Sequence, residues 1–436
     1  MIHTMEPQIQ IALEKQNPWW FDKTYETGIP RLSYYPHLQR YLNTPEILLI
    51  LGARRTGKST LLYQLITPLK ANPESVLFIN LDEPLFQSKA DDPAFLSTLI
   101  EEYRVQHKEL TKLYVFIDEI QNYNYWAQTI KTLHDVNKQI KFILTGSTSS
   151  LLKNAASTRL SGRYFTTLIY PLTFREYLEF SNTPKPSLLQ KRQAASYYLQ
   201  FGGFPRVVLE KDEPLKQDLL KNYFQTIYLK DIIFPHNVRS NTDVFELLYF
   251  VLSNVGAPFS YANIAKTLNI SADTVKEYLS YAEQSYLLYI VTKYDLSVRK
   301  QLANHRKIYC VDTGLINSIS FKFSENRGRL MENLVFMSLV KKQKEVFFHK
   351  ETSECDFLVR EGRKIVQAIQ VTTSLQDDAV KKRELKGLLE ALDSYHLTEG
   401  VIVTEAEKET IKLDGKKIVV VPLYEWLELG SHNLPF

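Results

Sequence analysis

Between residues 45 and 170 the chain alternates short, unbroken apolar runs with longer stretches of helical spacing. The runs are EILLILG (46–52), SVLFINLD (75–82), LYVFIDE (113–119), IKFILTGS (140–147) and YFTTLIY (164–170). A strand that is apolar on both faces must be covered on both faces. Five such runs separated by helices therefore predict an α/β layer built on a parallel sheet. Residues 1–44 read as a helix-rich lead-in. After Pro171 the pattern turns helical: TFREYLEF, a polar break at 181–187, LLQKRQAASYYLQF, a GGFPR turn (202–206) and a long helix through LKQDLLKNYFQTIYLKDI. A linker is expected over 234–243. Residues 243–290 predict three short helices, with a turn at LNIS and Ser271 as the N-cap of the last, which is helix-turn-helix spacing. LYIVTKYD and HRKIYCVD then predict a strand pair placed like a wing. From about residue 325 the order is helix (Arg329–Lys341), three strands (EVFFHK, CDFLVR, KIVQAIQV), a helix over 376–393 and two strands (GVIVT, KIVVVP), a small α+β domain.

Composition narrows this picture without redirecting it. A chain of 436 residues exceeds one ordinary core, and 44% hydrophobic with 23% charged residues is a globular balance that argues against wholesale disorder. The net charge of +4 identifies no partner. Cys310 and Cys355 are the only cysteines, which excludes a disulfide framework and a Cys-rich metal site and fits a reducing cytoplasm. The first 30 residues carry no apolar core of a signal peptide, and no uncharged apolar window has the length of a membrane span.

The chemistry begins at the end of the first run. Gly52, Ala53, Arg54, Arg55, Thr56, Gly57, Lys58 and Ser59 satisfy G-x-x-x-x-G-K-[ST] at every fixed position, after a strand and before a helix that opens with Ser59 and Thr60. The glycines let backbone N–H groups turn inward around a phosphate at a helix N-terminus. Lys58 is expected on the β/γ-oxygens and the Ser59 hydroxyl on Mg²⁺, while Arg54 and Arg55 occupy free positions of the loop. Asp118, at the end of LYVFIDE, is expected to help hold Mg²⁺, and Glu119 to polarise an attacking water. At the end of the next strand Ser147, ahead of Thr145, is the candidate to orient that water, the alternative being a helix cap. Arg163 and Arg159 follow a glycine turn and are candidates to reach the phosphates of a neighbouring subunit, against the alternative of ordinary surface arginines. Arg206 in GGFPR is a candidate nucleotide sensor.

Taken together, GARRTGKST, FIDEIQNYNYWAQTIKTLHD, LTGSTSSLL, RLSGRYF, GGFPRVV and IYCVDTGL resemble a widespread prokaryotic family of AAA-type (AAA+) P-loop ATPases. Its members carry a winged-helix segment and a C-terminal domain similar to PD-(D/E)xK nucleases. The resemblance implies ATP and Mg²⁺ as cofactors and a ring-shaped, hexamer-like homo-oligomer. The resemblance covers about 30–436 and, with the pattern above, divides the chain into the lead-in over 1–44, an AAA+ core over 45–170, a helical lid over 171–236, a winged helix over 241–310 and a nuclease-like domain over 311–436.

A nuclease of that kind needs an acid on one strand, E-x-K on the next and often a glutamate on the preceding helix, so that carboxylates hold Mg²⁺ and lysine activates water. Glu332 and Asp356 fit, but Gln370 stands in place of the glutamate and Thr372 in place of the lysine. Lys350 or Lys364 compensates only if it projects into the same site, and Arg383 with Glu384 either completes a polar site or belongs to a solvated helix face. In the expected wing, Lys293, Arg299, Lys300, Arg306 and Lys307 are candidate phosphate contacts. Asp273, Glu277 and Glu283 on the expected recognition helix oppose them. Three functions are thus expected. The first is an ATP-driven motor, helicase-like protein or branch-migration remodeller acting on DNA by its structure rather than its sequence. The second is a nucleotide-dependent switch or scaffold for protein partners, and the third an ATP-dependent nuclease, which Thr372 disfavours.

Overall fold

The computed structural model describes residues 5–152, 160, 162–183, 185–320 and 327–429, and the chain forms two compact units, Met1–Ile169 and Tyr170–Phe436. In the first unit the five apolar runs are the five strands of one sheet: β1 (Ile47–Leu51), β2 (Val76–Asn80), β3 (Leu113–Asp118), β4 (Ile140–Gly146) and β5 (Tyr164–Leu168). They pair in parallel in the order β2-β3-β4-β1-β5. Every residue of β1 and β4 is buried, as a sheet covered on both sides by the helices Lys58–Ile66, Phe95–Gln106 and Trp126–Val136 requires. Lys141 in β4 shares that burial, with its ammonium donating to the Glu46 carbonyl.

The lead-in is built onto this sheet. The helix Pro7–Gln16 delivers Asn17, which donates to the Phe78 carbonyl (2.9 Å) and accepts from the Phe78 N–H (2.7 Å). The indoles of Trp19 and Trp20 donate to the Val76 carbonyl at 3.3 and 2.9 Å, and the Gln16 side chain accepts from the Asn80 N–H. These residues satisfy the outward-facing groups of β2, the edge strand, which would otherwise be open to another chain.

The second unit starts with the helices Phe174–Phe180 and Leu188–Phe201, each opened by a reciprocal capping box (Thr173 with Glu176, Ser187 with Gln190). The helix Glu213–Ile227 runs on into a π-helical turn, Tyr228–Ile233. The helices Asn241–Ser253, Tyr261–Leu268 and Ala272–Gln284 follow, and Ser271 caps the last by accepting from the Thr274 N–H at 3.0 Å. Strands β6 (Leu288–Thr292) and β7 (Arg306–Cys310) pair antiparallel, with the short helix Val298–Ala303 between them. After the helices Thr313–Ile319 and Arg327–Val340 comes a mixed six-stranded sheet in the order β12-β13-β11-β10-β9-β8. Its strands are β8 (Glu345–Lys350), β9 (Glu354–Glu361), β10 (Lys364–Val371), β11 (Glu399–Thr404), β12 (Glu409–Leu413) and β13 (Lys416–Pro422), with the helix Asp378–Ser394 joining β10 to β11. A large hydrophobic core runs through this unit, from Leu172 and Phe204 through Leu247, Tyr309 and Met331 to Trp426, and a second one, with Leu358, Leu388 and Ile402, lies between the sheet and the helix Asp378–Ser394.

Two motifs meet inside the larger core. Asp312 of VDTGL accepts from the Gly203 N–H of GGFPR (2.7 Å) and from the Gly314 N–H (2.9 Å). Both motifs are thus accounted for by a buried structural junction.

Candidate active site

The first centre lies where β1, β3 and β4 end. Leaving β1, the chain turns at Gly52 (φ +144°), where a Cβ would come within 2.1 Å of the Ile169 carbonyl oxygen, so only glycine fits. The loop through Gly57 opens the helix Lys58–Ile66. Lys58 is 4% exposed and its ammonium donates to the carbonyls of Gly52 and Ala53, both at 3.0 Å, across the loop's concavity. Ser59 donates to Asp118 Oδ2 at 2.7 Å. This hydroxyl–carboxylate pair is a hard-oxygen donor set, which fits Mg²⁺. Burial, and then the charge of Glu119, raises the pKa of the Asp118 carboxyl, so a cation at this point would relieve a real electrostatic cost. Thr60 lies half-buried in the first turn of the helix, and Arg55 takes a left-handed conformation at φ +68°.

Glu119 has φ +56°, an uncommon conformation for a glutamate. Its N–H donates to Thr145 Oγ1 at 3.1 Å, and the same hydroxyl donates to Asp118 Oδ1. The polar group at the end of β4 that touches both acids is therefore Thr145, the candidate the sequence ranked second. Ser147, fully buried, stands two residues further on and accepts from Gln121 at 3.2 Å, and Gln121 in turn donates to Glu119. Arg54 faces Glu119 (3.7 Å) and Asp82 (3.9 Å). Gln121, Asp82 and the pairing of Arg54 are not marked by any motif. Nor is Arg31, 3% exposed, whose guanidinium donates to the Thr56 carbonyl at 3.0 Å and braces the loop from the lead-in.

The arginines expected near phosphate lie elsewhere. Arg163 precedes β5 at the opposite end of the sheet, its carbonyl accepting from the N–H of Ile47, the first residue of β1, and its side chain pairs with Asp135 at 3.0 Å. Arg159 lies outside the described residues. Arg206, in the second unit, pairs with Glu210 at 3.1 Å.

The second unit holds another cluster. Glu332 on the helix Arg327–Val340 and Asp356 on β9 converge, as the nuclease-like pattern expects, together with Glu354. The cation among them is Lys307 of β7, at 2.9 Å from Glu332, 2.8 Å from Glu354 and 3.1 Å from Asp356. Lys307 was expected on the surface of a wing. At 1% exposure it cannot contact a phosphate there, because the three carboxylates draw it into the interior. Gln370 turns its oxygen to the Asp356 N–H and its amide to Glu384, which also pairs with Arg383. Lys350 pairs with Glu354 at the surface. Of the other expected wing cations, Lys293 pairs with Glu351 (2.8 Å) and Arg306 packs over the Tyr261 ring (4.8 Å), while Arg299 and Lys300 are exposed.

A parallel sheet, a phosphate-wrapping loop between strand and helix, and paired acids at the adjoining strand ends define a P-loop ATPase. In agreement, residues 44–178 match the family described as AAA domain. Residues 192–326 and 327–426 each match a domain of unknown function (DUF8612 and DUF4143). The chain belongs to one family with an uncharacterized protein of Haemophilus influenzae, to which it is 31% identical over 408 residues, 92% of this chain and 98% of that one. An uncharacterized protein of Methanocaldococcus jannaschii is similar at 32% identity over 87% of this chain and 88% of its own. Among solved structures, AMPPCP-bound DnaA from Aquifex aeolicus is similar at 15% identity and a TM-score of 0.31, over 58% of this chain and 87% of that one. No described helix is long and apolar enough to cross a membrane.

Proposed function

We propose that this protein hydrolyses ATP with Mg²⁺ and spends the energy on moving or remodelling DNA, as a ring of like subunits. The carrying observation is the 2.7 Å contact between Ser59 and Asp118, with Glu119 held beside it in a strained, hydrogen-bonded conformation. When bound, the cation neutralises charge on the phosphate oxygens. Ser59 and Asp118 would hold it. Lys58 exchanges the loop carbonyls for phosphate oxygens, and Glu119 accepts the proton of the attacking water. Thr145 fixes the orientation of both acids. Arg163 stands at the far end of its own sheet, which supports a role in a neighbour's site once it leaves Asp135, and Arg159 is the second candidate for that role.

For DNA, support comes from the helix-turn-helix spacing of residues 261–284 and from the exposed Arg299 and Lys300 beside it. One observation favours the scaffold reading instead. A groove of about 520 Å³ in the second unit is lined by Phe224, Tyr228, Phe245, Tyr249 and Ile319, an apolar surface suited to protein.

The test is ATP turnover and nucleotide binding in wild type, Lys58→Ala and Glu119→Gln. Lys58→Ala is expected to lose binding. Glu119→Gln is expected to bind ATP and turn it over about 10²–10⁴-fold more slowly. Equal turnover by Glu119→Gln and wild type would mean that Glu119 is not the base.

A further inference from the structure

A cavity of about 960 Å³ opens beside β9, β10 and the helix Asp378–Ser394, with the Lys307 cluster at its base. We propose that this cavity binds a nucleic-acid strand by its phosphodiester backbone without a divalent cation, the ammonium of Lys307 permanently filling the point where the carboxylates would otherwise gather a metal. The inference rests on the reading of DNA as partner and names where the strand lies.

The base of the cavity carries the first part of the argument. Lys307 Nζ lies within 3.1 Å of oxygens from Glu332, Glu354 and Asp356, the point at which those three groups converge. A buried cation paired this closely is not easily displaced, since removing it would leave several carboxylates uncompensated. Gln370 is taken up by Asp356 and Glu384.

The walls carry the second part. Lys382 and Lys386 project from one face of the helix Asp378–Ser394, and Arg329 is a further lining residue of the cavity. All three are exposed, and none has an ion pair among the described residues. Arg327 and Arg383, by contrast, are neutralised by Glu405 and Glu384. The helix lies close to β9 because Gly387 leaves no room for a side chain: a Cβ there would be 2.0 Å from the Glu354 carbonyl oxygen. Two of the lining residues, Ser353 and Thr373, offer hydroxyl donors of the type that contacts phosphates. Among the described residues no aromatic ring lines the cavity, so bases have nothing there to stack on, and recognition falls to the backbone and is blind to sequence.

The experiment is fluorescence anisotropy of labelled single-stranded and duplex DNA with the full chain at low salt, in EDTA and in Mg²⁺. Wild type should bind in EDTA, gain nothing from Mg²⁺ and leave the strand intact. Lys382→Glu/Lys386→Glu should weaken binding about tenfold or more and flatten its salt dependence by about two phosphate contacts. Lys307→Met should weaken binding in EDTA and recover it with Mn²⁺; should that variant not fold, the surface pair decides the matter. Binding that requires Mg²⁺, or cleavage of the strand by wild type, overturns the inference. Wild-type binding that the lysine pair does not affect overturns it while leaving the DNA reading intact. Failure of wild type to bind either DNA removes both.

Discussion

Thr145 touches both acids of the ATPase centre, whereas Ser147 reaches them only through Gln121. Thr145→Val should therefore lower turnover about 10- to 100-fold, the usual cost of losing a group that orients a metal ligand, and more than Ser147→Ala does. Steady-state rates of the two variants decide this. At the residue scale the sequence was most legible where a motif fixes spacing: Lys58, Ser59, Asp118 and Glu119 converge as their positions predict. It was silent on Arg54, Gln121 and Arg31, which act through contacts that no short pattern encodes. Asp312 offers a test of the second unit. Burial pushes its carboxyl up to about 6 from an ordinary 3.8, so between those values the folded state binds the extra proton. Its contribution favours folding at low pH and is lost as pH rises from about 4 to 6, then stays flat. Asp312→Asn should flatten that pH dependence of about 3 kcal/mol but cost stability, because its amide nitrogen cannot accept the N–H bond that one carboxylate oxygen takes from Gly203 or Gly314; denaturant unfolding at a series of pH values reads both effects.

Elements were legible where burial alone decides them. Four strands of the first unit, β1 to β4, announce themselves as apolar runs because each is covered on both faces, whereas β5 at the sheet edge is largely open. Ser271, too, caps the helix it was expected to cap. The role of the lead-in was not legible, since Asn17 is a common polar residue until β2 lies beside it. Asn17→Ala leaves the N–H and C=O of Phe78 unpaired on the sheet edge. It should cost about 2–4 kcal/mol, read as a lower denaturation midpoint with unchanged slope, and promote association of the unfolding chain. Lys307 shows the converse limit. In sequence it belongs to a run of basic residues around a strand pair, and only the packing of β7 against the helix Arg327–Val340 and β9 makes it an interior cation.

For the molecule as a whole, the P-loop centre and the cavity over Lys307 lie in different units, one suited to ATP chemistry and the other carrying unpaired cations. A motor needs both, with turnover responding to the partner. A scaffold needs the nucleotide only as a switch. The most direct measurement is the steady-state rate of ATP hydrolysis by wild type at low salt, alone and with single-stranded, duplex and four-way-junction DNA, with Glu119→Gln as the background. The account predicts that at least one DNA structure accelerates turnover above that of the protein alone, with no acceleration in Glu119→Gln. Turnover that is the same with and without every DNA would contradict it.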